Sequence, residues 1–78
     1  MYRSLIFSTD IPSKDRLHVL TPRLNAILGN GNWIIDLDDR ERRMVVACIQ
    51  GTSAKSILEQ LREVGIAAEF ITDLPSYC

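Results

Sequence analysis

The chain has 78 residues, a formal net charge of −1 and 46% hydrophobic residues. This length allows one domain, which buries only about 60–65% of the surface that the unfolded chain exposes. The near-neutral charge gives no electrostatic footprint for nucleic acid and no polybasic patch for an anionic membrane. No apolar run approaches the roughly 20 residues of a membrane span, and the N-terminus lacks the apolar segment of a signal peptide. We therefore expect a single domain over residues 1–78, with a core over about 3–72 and a location in the cytoplasm.

The first half of the chain predicts a strand, a loop and a helix. Residues 3–9 alternate in polarity as a strand does, and Asp10-Ile11-Pro12 ends the strand. Ser13 is a natural N-cap for a helix from about Lys14 to Leu28, because its hydroxyl can accept a bond from a free backbone N–H. Pro22 lies inside this helix and predicts a bend near His18, with two short helices as the alternative.

The second half predicts two strands, a helix and a final strand. The strands cover residues 32–38 and 43–50 and are joined by a charged hairpin loop of about four residues. A helix then runs from about Ala54 to Val64, Gly65 follows it, and a strand covers residues 66–72. We expect residues 73–78 to form a loose tail. The order β-α-β-β-α-β predicts an α+β fold, a ferredoxin-like sandwich with a four-stranded antiparallel sheet and both helices on one face.

Several short segments, in their order and spacing, carry a family resemblance that covers residues 4–71. They are Thr9-Asp10-Ile11, Thr21-Pro22-Arg23-Leu24-Asn25, Trp33-Ile34-Ile35-Asp36-Leu37 and the closing helix and glycine over residues 57–66. With these segments the chain resembles the heavy-metal-associated domains, the copper-chaperone-like modules that are also found in metal-transporting ATPases. The resemblance implies the ferredoxin-like fold and docking to a partner domain through the loop before the first helix. It places Trp33 in the packing of the domain.

The chain departs from this family at the residues that would bind metal. In register with the family, the two cysteines of the Cys-x-x-Cys loop fall on Ser13 and Arg16. A soft cation prefers thiolates, whereas a serine hydroxyl stays protonated and an arginine carries a permanent positive charge with no lone pair to donate. We therefore expect no metal at this degenerate site. An anion site at the helix N-terminus is the functional alternative, and a capped helix with a solvated arginine is the simpler interpretation.

The remaining soft ligands do not form a recognisable metal site. Cys48 and Cys78 have neither zinc-ligand spacing nor the pattern of a disulfide framework. A metal site needs three or four convergent ligands, and His18 is the other candidate beside these thiols. We expect a buried thiol at Cys48, exposed groups at Cys78 and His18, no resident cofactor and no bound metal. Free thiols fit a reducing cytoplasm.

The sheet face away from the helices is predicted to be apolar. Alternation places a second apolar set on the outer face if the helix-facing residues are Leu5, Phe7, Trp33, Ile35, Met44, Val46, Ala68 and Phe70. A solvated sheet face is normally polar, and a contiguous apolar patch indicates an interface. The predicted interface residues are Ile6, Ile34, Val45, Ala47, Ile49 and Ile71.

These observations predict a binding or regulatory module that has lost the metal cysteines, acts through a protein partner and is not an enzyme. A face-to-face homodimer is the simplest symmetric arrangement. The alternatives are a metal-handling protein with non-standard ligands, and a small-molecule sensor similar to the ACT domains, which share this topology. The third predicted strand lacks the aromatic residues with which an RNA-recognition motif stacks bases, so RNA binding is not expected.

Overall fold

The computed structural model describes residues 2–49 and 53–76. Within these ranges the chain forms four strands and two helices. They are β1 (Tyr2–Thr9), α1 (Lys14–Leu28), β2 (Trp33–Ile35), β3 (Met44–Ile49), α2 (Ala54–Glu63) and β4 (Ala68–Ser76). Neither helix has the length and apolar character of a membrane span within the described residues.

The four strands form one antiparallel sheet in the order β2-β3-β1-β4. This arrangement confirms the predicted α+β, ferredoxin-like architecture. The core packs residues from one sheet face against the helices and the loops that flank them. Its buried members are Leu5, Phe7, Ile11, Leu20, Leu24, Leu28, Met44, Val46, Ile57, Leu61 and Ile66.

Helix α1 is continuous through Pro22, so the alternative of two short helices is wrong. The Thr21 hydroxyl donates a hydrogen bond of 2.8 Å to the carbonyl oxygen of Leu17, one turn earlier. A separate hydrogen bond joins the helix to β2: the Trp33 indole N–H donates to the Asn25 side-chain oxygen at 2.8 Å. Trp33 is half-buried against the core, which confirms its predicted packing role.

Strand β2 is shorter than the predicted 32–38 and ends at Ile35. Acidic side chains take the backbone into a turn instead. An Asp36 carboxylate oxygen accepts from the backbone N–H of Asp38 at 3.0 Å, and Asp39 accepts from those of Glu41 and Arg43. Such local bonds compete with strand pairing. The sequence pattern showed alternation through Leu37 but not this competition.

Strand β4 differs most from its prediction. It begins at Ala68 rather than Ile66 and continues through Ser76, paired with β1. The predicted loose tail is therefore wrong for residues 73–76, while Tyr77 and Cys78 lie outside the described residues. Pairing with the N-terminal half of β1 extends the strand, and an ion pair between Arg3 and Asp73 joins the two strands.

A β-bulge interrupts the pairing of β1 with β4. Phe7 lies opposite Phe70 and Ile6 lies opposite Thr72, so Ile71 is the extra residue on β4. A bulge bends a strand and changes the direction of its side chains. Ile71 and Thr72 consequently both reach the outer face of the sheet, where they line one groove.

Candidate interaction surface

The loop before α1 is organised by structural contacts. The Ser13 hydroxyl accepts from the backbone N–H of Arg16 at 3.3 Å and so caps the helix, as predicted. Asp10 fixes the far side of the loop by accepting from the backbone N–H of Ala67 at 3.0 Å. The Arg42 guanidinium donates to the carbonyl oxygen of Pro12 at 3.2 Å. Hydrogen bonds thus tie this loop to the β2–β3 connection, through Arg42, and to the α2–β4 connection, through Ala67.

Ser13 and Arg16 do not fit a metal ion. The Ser13 oxygen is used by the cap, and the Arg16 guanidinium extends toward Gly65, where an added Cβ would lie 3.8 Å from one of its nitrogens. Both residues are exposed. A neutral hydroxyl and a cation supply no donor pair for a soft metal. The structure therefore brings these two positions to one place, on one turn of helix, without giving them metal-binding chemistry.

The other metal-ligand candidates are not brought together in the described part of the chain. His18 is exposed on α1. The side chain of Cys48 and the whole of Cys78 lie outside what the structure describes. Among the described residues, no group of three or more His, Cys, Asp or Glu side chains is placed to hold a metal ion.

The outer face of the sheet carries an apolar row that crosses all four strands. Backbone pairing places Ile34 beside Val45, Val45 beside Ile6, and Ile6 beside Thr72 with the bulged Ile71. These residues line a shallow groove of ≈ 650 Å³. Ile34 is 69% exposed and Ile71 is 44% exposed, so the row faces solvent. We call this set, Ile6, Ile34, Val45, Ile71 and Thr72, the apolar row.

A charged row lies on one side of the apolar row. The backbone N–H of Asp36 donates to the carbonyl oxygen of Arg43 at 3.0 Å across β2 and β3, and both residues line the groove. Glu69 pairs with Ser8 at the same end of the sheet, on the outer face by alternation with Phe7 and Phe70. Asp36, Arg43 and Glu69 form what we call the charged row.

The opposite side of the apolar row is uncharged. Ser4 pairs with Leu74 there, and Leu74 is 50% exposed. Ala47 lies at the same level on β3 and is half-buried. The outer face therefore has three levels, meaning three rows of side chains that cross the strands. They are the charged row, the apolar row, and an uncharged level that contains Ser4, Ala47 and Leu74.

The predicted interface residues are placed as follows. Ile6, Ile34, Val45 and Ile71 line one groove, and Ala47 lies one step beyond it. The side chain of Ile49 lies outside the described residues, and the register of β3 shifts between the partners of Leu5 and Arg3. The interface itself stays a prediction.

Leu74 and the charged row were missed by the sequence analysis. Leu74 falls in the predicted loose tail, although its alternation with Thr72 indicates a longer strand. Phe70 lies opposite Phe7, consistent with the predicted helix-facing side, but it is 41% exposed at the open edge of β4. Its ring still packs on Phe7, with ring centroids 5.7 Å apart in an edge-to-face arrangement.

Comparison with protein-family models, with curated proteins and with solved structures finds no match to this chain. The resemblance to the heavy-metal-associated domains therefore stays a prediction from the sequence. The confirmed part is the architecture, a small antiparallel sheet with two helices in the ferredoxin-like order.

Proposed function

We propose that the chain is a non-enzymatic interaction module that binds protein through the outer face of its sheet. In this proposal the domain resembles a heavy-metal-associated domain whose metal-binding pair has been replaced by Ser13 and Arg16. The observation that carries the proposal is the apolar row. An isolated exposed aliphatic residue is ordinary, whereas a contiguous set on four adjacent strands is typical of a contact surface.

The packing of the domain does not account for these side chains. The core is already filled from the other sheet face by Leu5, Phe7, Met44 and Val46. Ile34 leaves 69% of its surface in water, so it contributes little to the core. Covering such residues with a partner removes apolar surface from water, which is favourable by about 25 cal/mol per Å² before the costs of association.

The loop at Ser13 is a less favoured site for the function. A helix N-terminus can bind an anion, but here the Ser13 oxygen already occupies a free N–H of the first turn. Asp10 in the loop and Asp15 in the first turn of α1 also bring negative charge to this site. These features agree with a structural cap.

Site-specific photo-crosslinking tests the proposal. A photoreactive residue is placed at Ile34, in the apolar row, and in a matched variant at Val19, which is 64% exposed on α1. We expect protein adducts from position 34 in the cells that make the protein, and few from position 19. Equal yields from the two positions, or none from position 34, would rule out the outer face as the binding surface.

A further inference from the structure

We infer that the outer face pairs with the same face of a second copy, with the strands of the two sheets running antiparallel. This inference rests on the proposed function, because it names the partner of the proposed surface.

The apolar row can cover itself under a twofold axis. If the axis runs along the row, Ile34, Val45 and Ile6 of one copy lie over the same residues of the other. An isologous contact of this kind needs one self-complementary patch, which a row across the whole sheet supplies. Aligned sheets pack about 10 Å apart with their inner side chains interdigitated.

Two arrangements stack the apolar rows of the two copies, one with the strands of the two sheets parallel and one with them antiparallel, and the charges favour the second. With parallel strands, the two charged rows would stack, and Asp36 would lie over the partner's Glu69. Arg43 would not relieve this repulsion, because it already pairs with Asp39 and Glu41 of its own copy. With antiparallel strands, each charged row lies over the uncharged side of the other copy. Side chains on one face are about 6.8 Å apart along a strand, so the two charged rows are then roughly 14 Å apart. That separation exceeds the Debye length of about 8 Å at physiological ionic strength.

The area predicts a weak dimer. Four strands about 4.8 Å apart, with three levels of side chains, give a face of roughly 400 Å² per copy. Two faces bury about 800 Å², below the roughly 1,200 Å² of a standard stable interface and within the range of transient ones. We therefore expect a dissociation constant on the order of 100 µM, corresponding to reversible self-association.

Sedimentation equilibrium between about 10 µM and 1 mM protein measures this association directly, because that range brackets the expected constant. The wild-type chain should shift from monomer to dimer. Ile34→Lys should remove the dimer and Val19→Lys should leave it, since both sites are exposed and either variant should keep its fold, which thermal unfolding verifies. A monomer throughout the range, or equal effects of the two lysines, would overturn the inference.

A charge pair tests the antiparallel orientation. In this orientation Leu74 lies over the partner's Glu69. Leu74→Lys should therefore associate roughly tenfold more tightly than Leu74→Glu, because each dimer contains two such contacts. Adding Glu69→Lys to Leu74→Glu should restore association. Equal constants for the two Leu74 variants, or no recovery in the double variant, would overturn the antiparallel arrangement.

The two proposals fail in different ways. A chain that is monomeric at about 1 mM but crosslinks to another protein from position 34 would refute the self-association and support the proposed function. A chain that neither associates nor crosslinks from position 34 would refute both.

Discussion

Introducing two thiols at the first turn of α1 should create a metal site. The double variant Ser13→Cys, Arg16→Cys places two thiols three residues apart on the exposed end of the helix, where the structure brings positions 13 and 16 together. A helix N-terminus lowers thiol pKa values and so favours the thiolates that Cu(I) prefers. Native mass spectrometry should show one Cu(I) bound to the double variant and no stable adduct of the wild-type chain.

The structure sets the size of the thermal effects. The Ser13 cap is one exposed hydrogen bond of 3.3 Å. Its loss should cost about 1 kcal/mol. For a domain of this size, that lowers the melting temperature of the metal-free variant by roughly 4–8 °C. Free metal at 100 times the dissociation constant should return about 2.7 kcal/mol. The loaded variant should therefore melt roughly 10 °C above the wild-type chain.

The single variants Ser13→Cys and Arg16→Cys serve as controls, since each offers one thiol at the loop and should bind Cu(I) far more weakly. A double variant that melts identically with and without Cu(I) would refute the argument, because positions 13 and 16 would then not form a pair. A tight adduct of the wild-type chain that is lost on changing Cys48 or Cys78 to Ser would instead favour a metal-handling protein with relocated ligands.

Three further predictions concern the fold. The hydrogen bond from Arg3 lowers the pKa of Asp73 below its ordinary value of 3.8. The stability from this pair is therefore complete above that value and is lost as pH falls through the lowered pKa; acid unfolding of Asp73→Asn should show a smaller loss, and an unchanged profile would contradict this. Asn25→Ala should cost about 1–3 kcal/mol in urea unfolding by removing the acceptor of the Trp33 indole, and an unshifted midpoint would contradict the bond. Leu24→Ala should cost about 2–5 kcal/mol because Leu24 is fully buried, whereas Val19→Ala should change stability by less than about 0.5 kcal/mol.

Periodicity predicted the architecture because strand alternation and the helical spacing of apolar residues are visible within short segments of the sequence. The Ser13 cap predicted the start of α1 correctly, and the buried residues Leu20, Leu24 and Leu28 follow helical spacing. Pro22 did not break the helix. Burial of this stripe is the physical reason that we assign to its continuity, since three leucines packed in the core outweigh one missing backbone bond.

The sequence was less informative about where strands end and how they pair. Side chains can compete with backbone pairing, and the partner strand sets the register and the length of a strand. Strand β2 ends early because Asp36 and Asp39 accept backbone hydrogen bonds in the following turn. The bulge at Ile71 depends on the register between β1 and β4, which no local pattern encodes. The same long-range pairing carries β4 through residues 73–76, and it places Leu74 on the outer face.

Strand propensity is the main competing explanation for the apolar row. β-Branched residues are favoured in strands even where they are exposed, so Ile and Val on a sheet need no binding partner. Threonine would satisfy that preference with a polar group toward water, yet of the five residues in the row only Thr72 is polar. The neighbouring level of the same face carries Asp36, Arg43 and Glu69, so polar residues are tolerated one step away. The apolar row thus carries more exposed aliphatic surface than strand propensity requires, which favours a contact surface over incidental exposure.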